Sequence, residues 1–292
     1  MSLAIFSTID PARVARRARL ARLGPSLGAA GSLEVRLATS KREIRQAQKL
    51  RYREFFEEGG ALADETARLI KRDVCRFDAV CDHLIVLDHA TCDKRGRPRL
   101  VGAYRLLRQQ AALANFGFYS AGEFNLAPLL ARHPAKNFLE LGRSCVAPDY
   151  RGKRALELLW RGIWAYVRHH RIDAMFGCAS FAGADPAAHR AALAFLCERA
   201  PARAEWRAPA APGQGVAIAA LGPRDAPAAS ALRALPPLLK GYWRVGAQFG
   251  AEAVIDAKFG TTDIFVIMPV AELDPRYVRY FSGDNPAAAL AA

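Results

Sequence analysis

Two hydrophobic periodicities alternate along this chain. In some segments apolar residues recur at about every second position, as in strands, and in others at intervals of three and four, as in amphipathic helices. Strands are predicted at residues 31–40, 83–89, 100–107, 138–146, 174–181 and 261–270. Helices are predicted at residues 41–58, 156–170, 186–196 and 235–250. This interspersed order predicts a mixed α/β domain.

The first predicted helix has clear boundaries. Ser40 can cap its start, with Glu43 three residues later completing a capping box, and Gly59 and Gly60 end it. The strands on either side of the turn DKRGRP (93–98) are expected to pair as an antiparallel hairpin. Residues 200–231 are rich in Ala and Pro and are predicted to form a surface excursion.

The chain is strongly basic, with 42 Lys and Arg against 28 Asp and Glu, a formal net charge of +14. Such a surface attracts polyanions: nucleic acid, anionic lipid or an acidic protein. Five arginines lie in PARVARRARLARL (11–23). We predict a basic leader at 1–30, either a solvated tail or an amphipathic helix on an anionic membrane, followed by one domain at 31–292.

No segment indicates export or membrane insertion. Every window of eighteen residues contains charge, and the N-terminus lacks the basic start and apolar core of a signal peptide. We expect a cytoplasmic protein, with peripheral membrane contact if the leader binds lipid. The aromatic residues are not interleaved with a basic run, so a surface for stacking nucleic-acid bases is not indicated.

The six cysteines form no CxxC pair. Cys75, Cys81 and His83 are close in sequence, but no fourth ligand has suitable spacing. We therefore predict reduced thiols and no metal site.

The turn DYRGKRA (149–155) joins the fourth predicted strand to an amphipathic helix. Free backbone N–H groups at a helix N-terminus favour an anion, so this turn is a candidate phosphate site. The alternative is a solvated basic turn.

The order of elements and this turn resemble the GNAT acyltransferase fold. The resemblance implies an α/β fold with a mixed, mostly antiparallel central sheet flanked by helices. Four motifs occur in the order seen in the GNAT-like acyl-homoserine-lactone synthases: LRYREFFEE (50–58), RDVCRFDAVCDHLIV (72–86), VGAYRLL (101–107) and LELGRSCV (139–146). That pattern places functional residues at Arg51, Asp78, Asp82, Arg105, Glu140 and Arg143. An extra residue between Asp78 and Asp82 departs from it.

A second resemblance is closer, to bacterial ornithine N-acyltransferases. It is carried by FYSAGEFNLAPLL (118–130), ELGRSCVAPDYR (140–151), LLWRGIWAYV (158–167), MFGCASF (175–181), LRALPPLLKGYWRVGA (232–247) and AVIDAKFGTTD (253–263). The resemblance covers about residues 33–270. It implies transfer of a 3-hydroxyacyl group from acyl carrier protein to the α-amine of L-ornithine, the first step of ornithine lipid synthesis, with no bound cofactor.

The phosphate turn departs from the GNAT pattern for coenzyme A. The two glycine positions of that pattern hold Arg154 and Leu156. A single phosphate on the arm of an acyl carrier protein fits this turn better than a pyrophosphate, and an acidic carrier suits the basic surface. The predicted contacts with the phosphopantetheine arm are Val146, Arg151, Gly152, Lys153 and Arg154.

The implied chemistry needs a base, because an amine is mostly protonated at neutral pH. Glu140 is the first candidate, with Asp78 and Asp82 as further acids for catalysis or for the side-chain ammonium. The ornithine carboxylate needs a cation, for which the candidates are Arg51, Arg105 and Arg143. All of these residues could instead belong to a structural network of ion pairs.

Strict strand alternation separates Glu140 from Arg143, so we predict a bulge at Gly142 that brings them to one side. A backbone N–H between Ser144 and Val146 could stabilise the thioester oxygen, and Ser144 is assigned to substrate binding. Cys145 has no histidine near it in sequence, so we expect direct transfer rather than an acyl-cysteine intermediate.

Two other interpretations stay open. The acceptor could be glutamine, glycine or, as in autoinducer synthases, S-adenosylmethionine. The chain could also be a non-enzymatic nucleic-acid-binding or membrane-binding protein that uses its positive charge.

Overall fold

A nine-stranded sheet organises residues 23–222 and 226–282, which the computed structural model describes. The strands are β1 (Gly28–Ala30), β2 (Leu33–Leu37), β3 (Asp82–Cys92), β4 (Pro98–Arg108), β5 (Phe138–Val146), β6 (Ala174–Ala182), β7 (Gly215–Ala217), β8 (Gln248–Asp256) and β9 (Thr261–Pro269). Their order across the sheet is β1-β2-β3-β4-β5-β6-β9-β8-β7. Within these ranges β5 and β6 are the parallel neighbours and the other pairs are antiparallel. The predicted mixed, mostly antiparallel sheet is confirmed.

The helices pack against both faces of this sheet. They are α1 (Lys41–Tyr52), α2 (Glu65–Ile70), α3 (Gln109–Leu113), α4 (Ala127–Arg132), α5 (Lys153–His170), α6 (Arg190–Arg199), α7 (Ala228–Ala234), α8 (Pro237–Val245) and α9 (Pro275–Ser282). The capping box of Ser40 and Glu43 is confirmed, and a π-helical turn, Arg53–Glu57, extends α1. The helix predicted at 235–250 ends at Val245, because Gly246 takes a left-handed φ of 94° and the chain then enters β8, which the sequence reasoning missed.

Two apolar clusters lie on opposite faces of the sheet, since alternate strand residues enter different clusters. Met175 belongs to the cluster beneath α5, whereas Phe176 belongs to an aromatic cluster with Phe118 and Phe265. Gly162 lets α5 approach the sheet closely, because a Cβ there would lie 2.8 Å from Leu84 Cδ1. The two cores therefore brace the central strands from both sides.

The central feature of the sheet is a divergence between β5 and β6. They pair only from Phe138 to Glu140, against Ala174 to Phe176. Beyond this point β5 stays paired with β4, and β6 stays paired with β9. A cleft therefore opens between two adjacent strands.

The predicted bulge is confirmed, one residue later than expected. Arg105 opposes Gly142 and Ala103 opposes Cys145, so Arg143 and Ser144 together face a single residue of β4. Arg143 takes a left-handed φ of 53°, the conformation that one class of bulge requires. The bulge lies at the mouth of the cleft.

Two predicted segments need further comment. The leader at 1–30 falls mostly on residues 1–22, outside the described residues, while Gly28–Ala30 forms β1. The segment 200–231 is more than a surface excursion, because it buries Trp206 and Ile218 and supplies β7. No helix of the described ranges is both long enough and apolar enough to span a bilayer.

Candidate active site

A cavity of about 330 Å³ occupies the cleft between the diverging strands. Gly142, Arg143 and Ser144 of β5 line one wall, and Cys178 and Ser180 of β6 line the other. The cavity also reaches Tyr104 and Tyr242, which hydrogen-bond to each other in the core beneath α5. The cavity therefore has lining residues from both faces of the sheet.

Four of the predicted residues, Arg51, Asp78, Arg105 and Arg143, form one buried network. Arg51 Nε lies 2.8 Å from Asp73 Oδ2, and Arg51 Nη2 lies 2.9 Å from Asp78 Oδ2. Arg105 Nη1 lies 3.5 Å from Asp78 Oδ1, and Arg143 Nε lies 3.2 Å from Asp73 Oδ2. Asp73, which bridges two arginines, was missed by the sequence reasoning although it lies inside the motif at 72–86.

Asp78 is fully engaged inside this network. Burial by itself raises the pKa of its carboxyl. Arg51 and then Arg105 lower this pKa by more than burial raises it, so that it lies well below its usual range. Its oxygens also accept from the Gln48 side chain and from the amide of Cys75. This carboxylate is ionised and holds the arginines in place.

Arg143 and Arg105 are the arginines of this network that reach the cavity wall. The guanidinium of Arg143 lies 4.7 Å from the ring centre of Tyr119 and 4.3 Å from that of Phe259, and it donates to Tyr119 Oη at 3.3 Å. Burial by itself lowers the pKa of Arg143, and Tyr119 and Asp73 raise it above its ordinary value. Arg143 is a fixed cation at one side of the cavity.

Glu140 also lines the cavity and is 4% exposed. Its Oε2 accepts from the amide of Tyr119 at 2.8 Å, and its Oε1 accepts from the amide of Ser120 at 2.6 Å and from the Ser120 hydroxyl. Burial raises the pKa of Glu140, and the hydrogen bonds from Ser120 and Tyr119 offset part of that rise. Since Glu140 and Arg143 both contact Tyr119, the bulge has brought them to one side of the sheet.

Asp82 lies elsewhere. Its carboxylate accepts from the hydroxyl of Tyr166 on α5 at 2.7 Å and lies 3.8 Å from Arg108. It is not among the residues that line the cavity. Asp78 and Asp82, which have an extra residue between them, therefore have different neighbours.

Two amides of β5 point into the cleft. The amide of Ala147 donates to the carbonyl oxygen of Val101 at 2.8 Å, and Cys145 pairs with Ala103 on the same neighbouring strand. Because successive strand amides point to opposite sides, those of Ser144 and Val146 point away from β4 and toward β6. With β6 diverged, they are available to a ligand in the cleft.

The predicted phosphate turn lies beside this open edge. Arg151 donates to Val146 O at 3.4 Å and pairs with Glu54 at 2.7 Å, and Arg154 is exposed. Gly152 caps α5 without a side-chain hydrogen bond, and a Cβ there would have nothing within 4 Å. Space is therefore open beside Gly152, directly before the first turn of α5, which begins at Lys153.

The cysteines contribute no activated nucleophile to this cleft. Cys145 is buried in the core beneath α5, and burial raises the pKa of its thiol to about 12. Cys75 accepts from Arg105 at 2.7 Å, and burial raises the pKa of Cys81 to about 12. The thiols of Cys145 and Cys81 stay protonated at neutral pH, which suits direct transfer.

Sequence reasoning missed an acidic group at the far side of the cavity. Oxygens of Glu123 and Asp263 and the sulfur of Cys178 all lie within 4.8 Å of one another. Glu123 and Asp263 come from separate motifs, 118–130 and 253–263, that carried the family resemblance. Those motifs were the available indication, but only the fold shows that the two acids meet.

The chain is similar to known acyltransferases. Residues 50–161 match the model of the acetyltransferase (GNAT) domain. An L-ornithine N(alpha)-acyltransferase of Agrobacterium fabrum is 52% identical over 262 residues, covering 88% of this chain and 87% of that protein. One from Rhizobium meliloti is 47% identical over 269 residues, covering 92% and 90%. Among solved structures, the N-acyl amino acid synthase FeeM from uncultured soil microbes shares 12% identity and a TM-score of 0.45, covering 82% of this chain and 92% of its own.

Proposed function

Because this acyltransferase belongs to the L-ornithine N(alpha)-acyltransferase family, we propose that it acylates the α-amine of L-ornithine. The acyl group is 3-hydroxylated and arrives as a thioester of acyl carrier protein, and the product is lyso-ornithine lipid. The observation that carries this proposal is the cavity between β5 and β6, which joins two cleft-facing amides to an array of fixed charges.

In this proposal the acyl donor lies along the open edge of β5. The single phosphate of the phosphopantetheine arm contacts the first-turn amides of α5, with Arg151 and Arg154 nearby. The arm then passes Val146 into the cleft, where its thioester oxygen accepts hydrogen bonds from the amides of Ser144 and Val146. These amides stabilise the negative charge that develops on that oxygen during attack.

The acceptor approaches from the opposite side of the cleft. Its carboxylate binds Arg143, with Arg105 adding positive charge and Asp73 and Asp78 keeping both guanidiniums in position. The α-amine loses a proton to Glu140 through water, forms the C–N bond, and the C–S bond breaks. The carrier thiol leaves with a proton, so no covalent enzyme intermediate is needed.

A basic groove supports an acidic carrier protein as donor. Arg42, Arg45 and Lys49 of α1 line it together with Arg72 and Arg97. Lys49 also borders the adjoining groove that contains Arg53 and Arg99. Through the pairs Arg53–Glu54 and Arg151–Glu54 this basic surface continues to the phosphate turn. A carrier docked there would hold its arm beside the cleft.

Mass spectrometry of products tests the proposal directly. The protein is incubated with 3-hydroxyacyl carrier protein and a mixture of amino acids, and N-acyl-ornithine is expected. Glu140→Gln should reduce its rate about 10²–10⁴-fold, the range for loss of a general base. Glu43→Gln, a buried glutamate at the start of α1, is the matched control, and thermal melting checks the fold of both variants.

Three results would contradict parts of the proposal. Acylation of another amino acid instead would overturn the acceptor. Activity with acyl-coenzyme A but none with the carrier would overturn the donor. Full activity of Glu140→Gln would remove this carboxylate from the chemistry.

A further inference from the structure

The acidic group at the far side of the cavity is incompletely hydrogen-bonded. Asp263 lines the cavity and is 4% exposed, and Glu123 lies beside it, partly buried. Asp263 Oδ1 and Glu123 Oε2 are shielded from solvent and have no hydrogen-bond partner in the part of the chain that the structure describes. Nor does either carboxylate form an ion pair with Lys or Arg within those residues. Buried polar atoms without partners are rare in folded proteins, and a ligand is one explanation for them.

The raised pKa values of Glu123 and Asp263 indicate that these carboxylates lack a paired cation among the described residues. Burial and the charge of Asp263 raise the pKa of Glu123 to about 8. Burial and the nearby Asp256 raise the pKa of Asp263 as well. A cation placed between the two acids would restore their ionised form and supply the missing donors.

The cavity wall therefore carries charge of both signs. Arg143, Asp256 and Asp263 line it, and Glu123 lies beside Asp263. Asp256 is already held, since its Oδ1 accepts from the amides of Lys258 and Phe259 at 2.8 and 3.1 Å. Hydrogen bonds with Cys178 and Ser180 engage part of Glu123 and Asp263, which leaves Glu123 Oε2 and Asp263 Oδ1 without a partner among the described residues.

We propose that Glu123 and Asp263 bind the side-chain ammonium of a diamino acid acceptor and so select ornithine over amino acids with neutral side chains. The inference rests on the proposed function and deepens it. A primary ammonium carries three N–H donors and can serve both free oxygens at once. The acceptor then places its carboxylate at Arg143 and its side-chain ammonium at the two acids.

An ammonium suits this group better than a metal ion. A thiol binds metal as the thiolate, whereas burial and the charge of Glu123 raise the pKa of Cys178 well above its ordinary value. A protonated thiol leaves two carboxylates as the strong ligands of the cluster.

The test compares ornithine with norvaline, which has the same carbon chain but no side-chain ammonium. The wild type should prefer ornithine in kcat/KM by about 10³-fold or more, since its free carboxylates reject a partner without donors. In Glu123→Gln with Asp263→Asn this preference should fall to about tenfold or less, while kcat/KM for norvaline holds or rises. Glu205→Gln, an exposed glutamate, is the control and should keep the wild-type ratio.

The pH dependence of the wild-type protein tests the proposal even if the variants do not fold. The ratio of kcat/KM for ornithine to that for norvaline should rise as pH increases through about 8, because the acids must be ionised to bind the ammonium. The side-chain ammonium of ornithine lowers the pKa of its α-amine below that of norvaline, so each rate is first corrected for the deprotonated fraction of its own substrate. The charged and titratable groups that act on Glu123 are Asp263, Cys178, Asp256 and Arg143.

The outcomes separate this inference from the proposed function. If ornithine is acylated but norvaline reacts equally well, or if the variants lose both substrates in proportion, the inference is overturned and the function stands. A stoichiometric divalent metal in the protein, with activity lost on chelation and restored by the metal, would also overturn it. If no amino acid is acylated, the proposed function itself fails.

Discussion

At the scale of single residues, charge is used in two different ways around this cavity. Arg51 is 1% exposed, yet Asp73 and Asp78 match its charge, so the cost of burying it is offset. Glu123 and Asp263 have no such partners among the described residues. The first arrangement holds the cavity wall in place, and the second reduces stability in return for binding.

This difference predicts an effect of pH on stability. Glu123 has a pKa of about 8 in the folded protein, raised from 4.5, so the folded state binds a proton more tightly than the unfolded state. Its contribution is fully present below pH 4.5 and is lost as pH rises through 8. Glu123→Gln should therefore match the wild type in acid and exceed it at pH 8 by more than about 1.4 kcal/mol, the equivalent of one pKa unit.

Chemical denaturation at several pH values measures this difference. Glu205→Gln, on the surface, should show no pH-dependent gain. If Glu123→Gln and the wild type were equally stable at pH 8, burial would not raise the pKa of Glu123 in the folded protein.

At the scale of secondary structure, the site depends on two irregularities in adjacent strands. The bulge at Arg143 turns β5 so that its charged side chain and Glu140 share a side. The divergence of β6 leaves two amides of β5 exposed to the cleft. A regular sheet would have paired those amides and closed the cavity.

Gly177 sits where the two strands part. A Cβ there would overlap the carbonyl oxygen of Leu141, which belongs to the facing backbone and cannot rotate away. Gly177→Ala should destabilise the protein by about 1–3 kcal/mol, the usual cost of overpacking, and reduce acyl transfer. Gly241→Ala, in α8 with nothing within 4 Å of the added methyl, should instead stabilise by about 0.5–1 kcal/mol.

Denaturant midpoints and initial rates measure both variants. Equal stability and full activity of Gly177→Ala would show that the strands can shift there at little cost.

At the scale of the whole molecule, the chain has a net charge of +14, and some of its basic residues line one groove along α1. Arg42, Arg45 and Lys49 in the groove along α1 form no ion pair within the described residues, whereas Glu54 and Glu58 pair with Arg151 near the cleft. In the proposed function, the field of the groove attracts an acidic carrier, and the paired residues near the cleft position its arm.

Charge reversal on this groove tests the docking surface. Arg45→Glu should raise the KM for the carrier-bound donor about fivefold or more at low salt, and added salt should shrink the difference. The KM of Arg45→Glu for an acyl thioester of free phosphopantetheine, which has no carrier to dock, should equal that of the wild type. Arg233→Glu, exposed on α7, is the matched control; an equal rise in its KM would contradict a localised docking surface.

Much of the fold could be predicted because its determinants are local. The capping box at Ser40, the hairpin of β3 and β4 and the stripe of α5 each depend on residues a few positions apart. β8 and the packed parts of 200–231 were missed, because small residues and glycine interrupt their patterns. Glu140, Arg143 and Asp78 could be named because their motifs are contiguous.

The sequence by itself therefore determined the net charge, the mixed α/β order of most elements and the motifs that carry the candidate residues, since these follow from local spacing and composition. Only the tertiary structure decided which of them meet. Asp82 accepts a hydrogen bond from Tyr166, whereas Asp78 pairs with Arg51, although only four positions separate the two acids. Glu123 and Asp263 became neighbours across half the chain. Such meetings depend on strand register and sheet order, which arise from packing the whole chain around two shared cores.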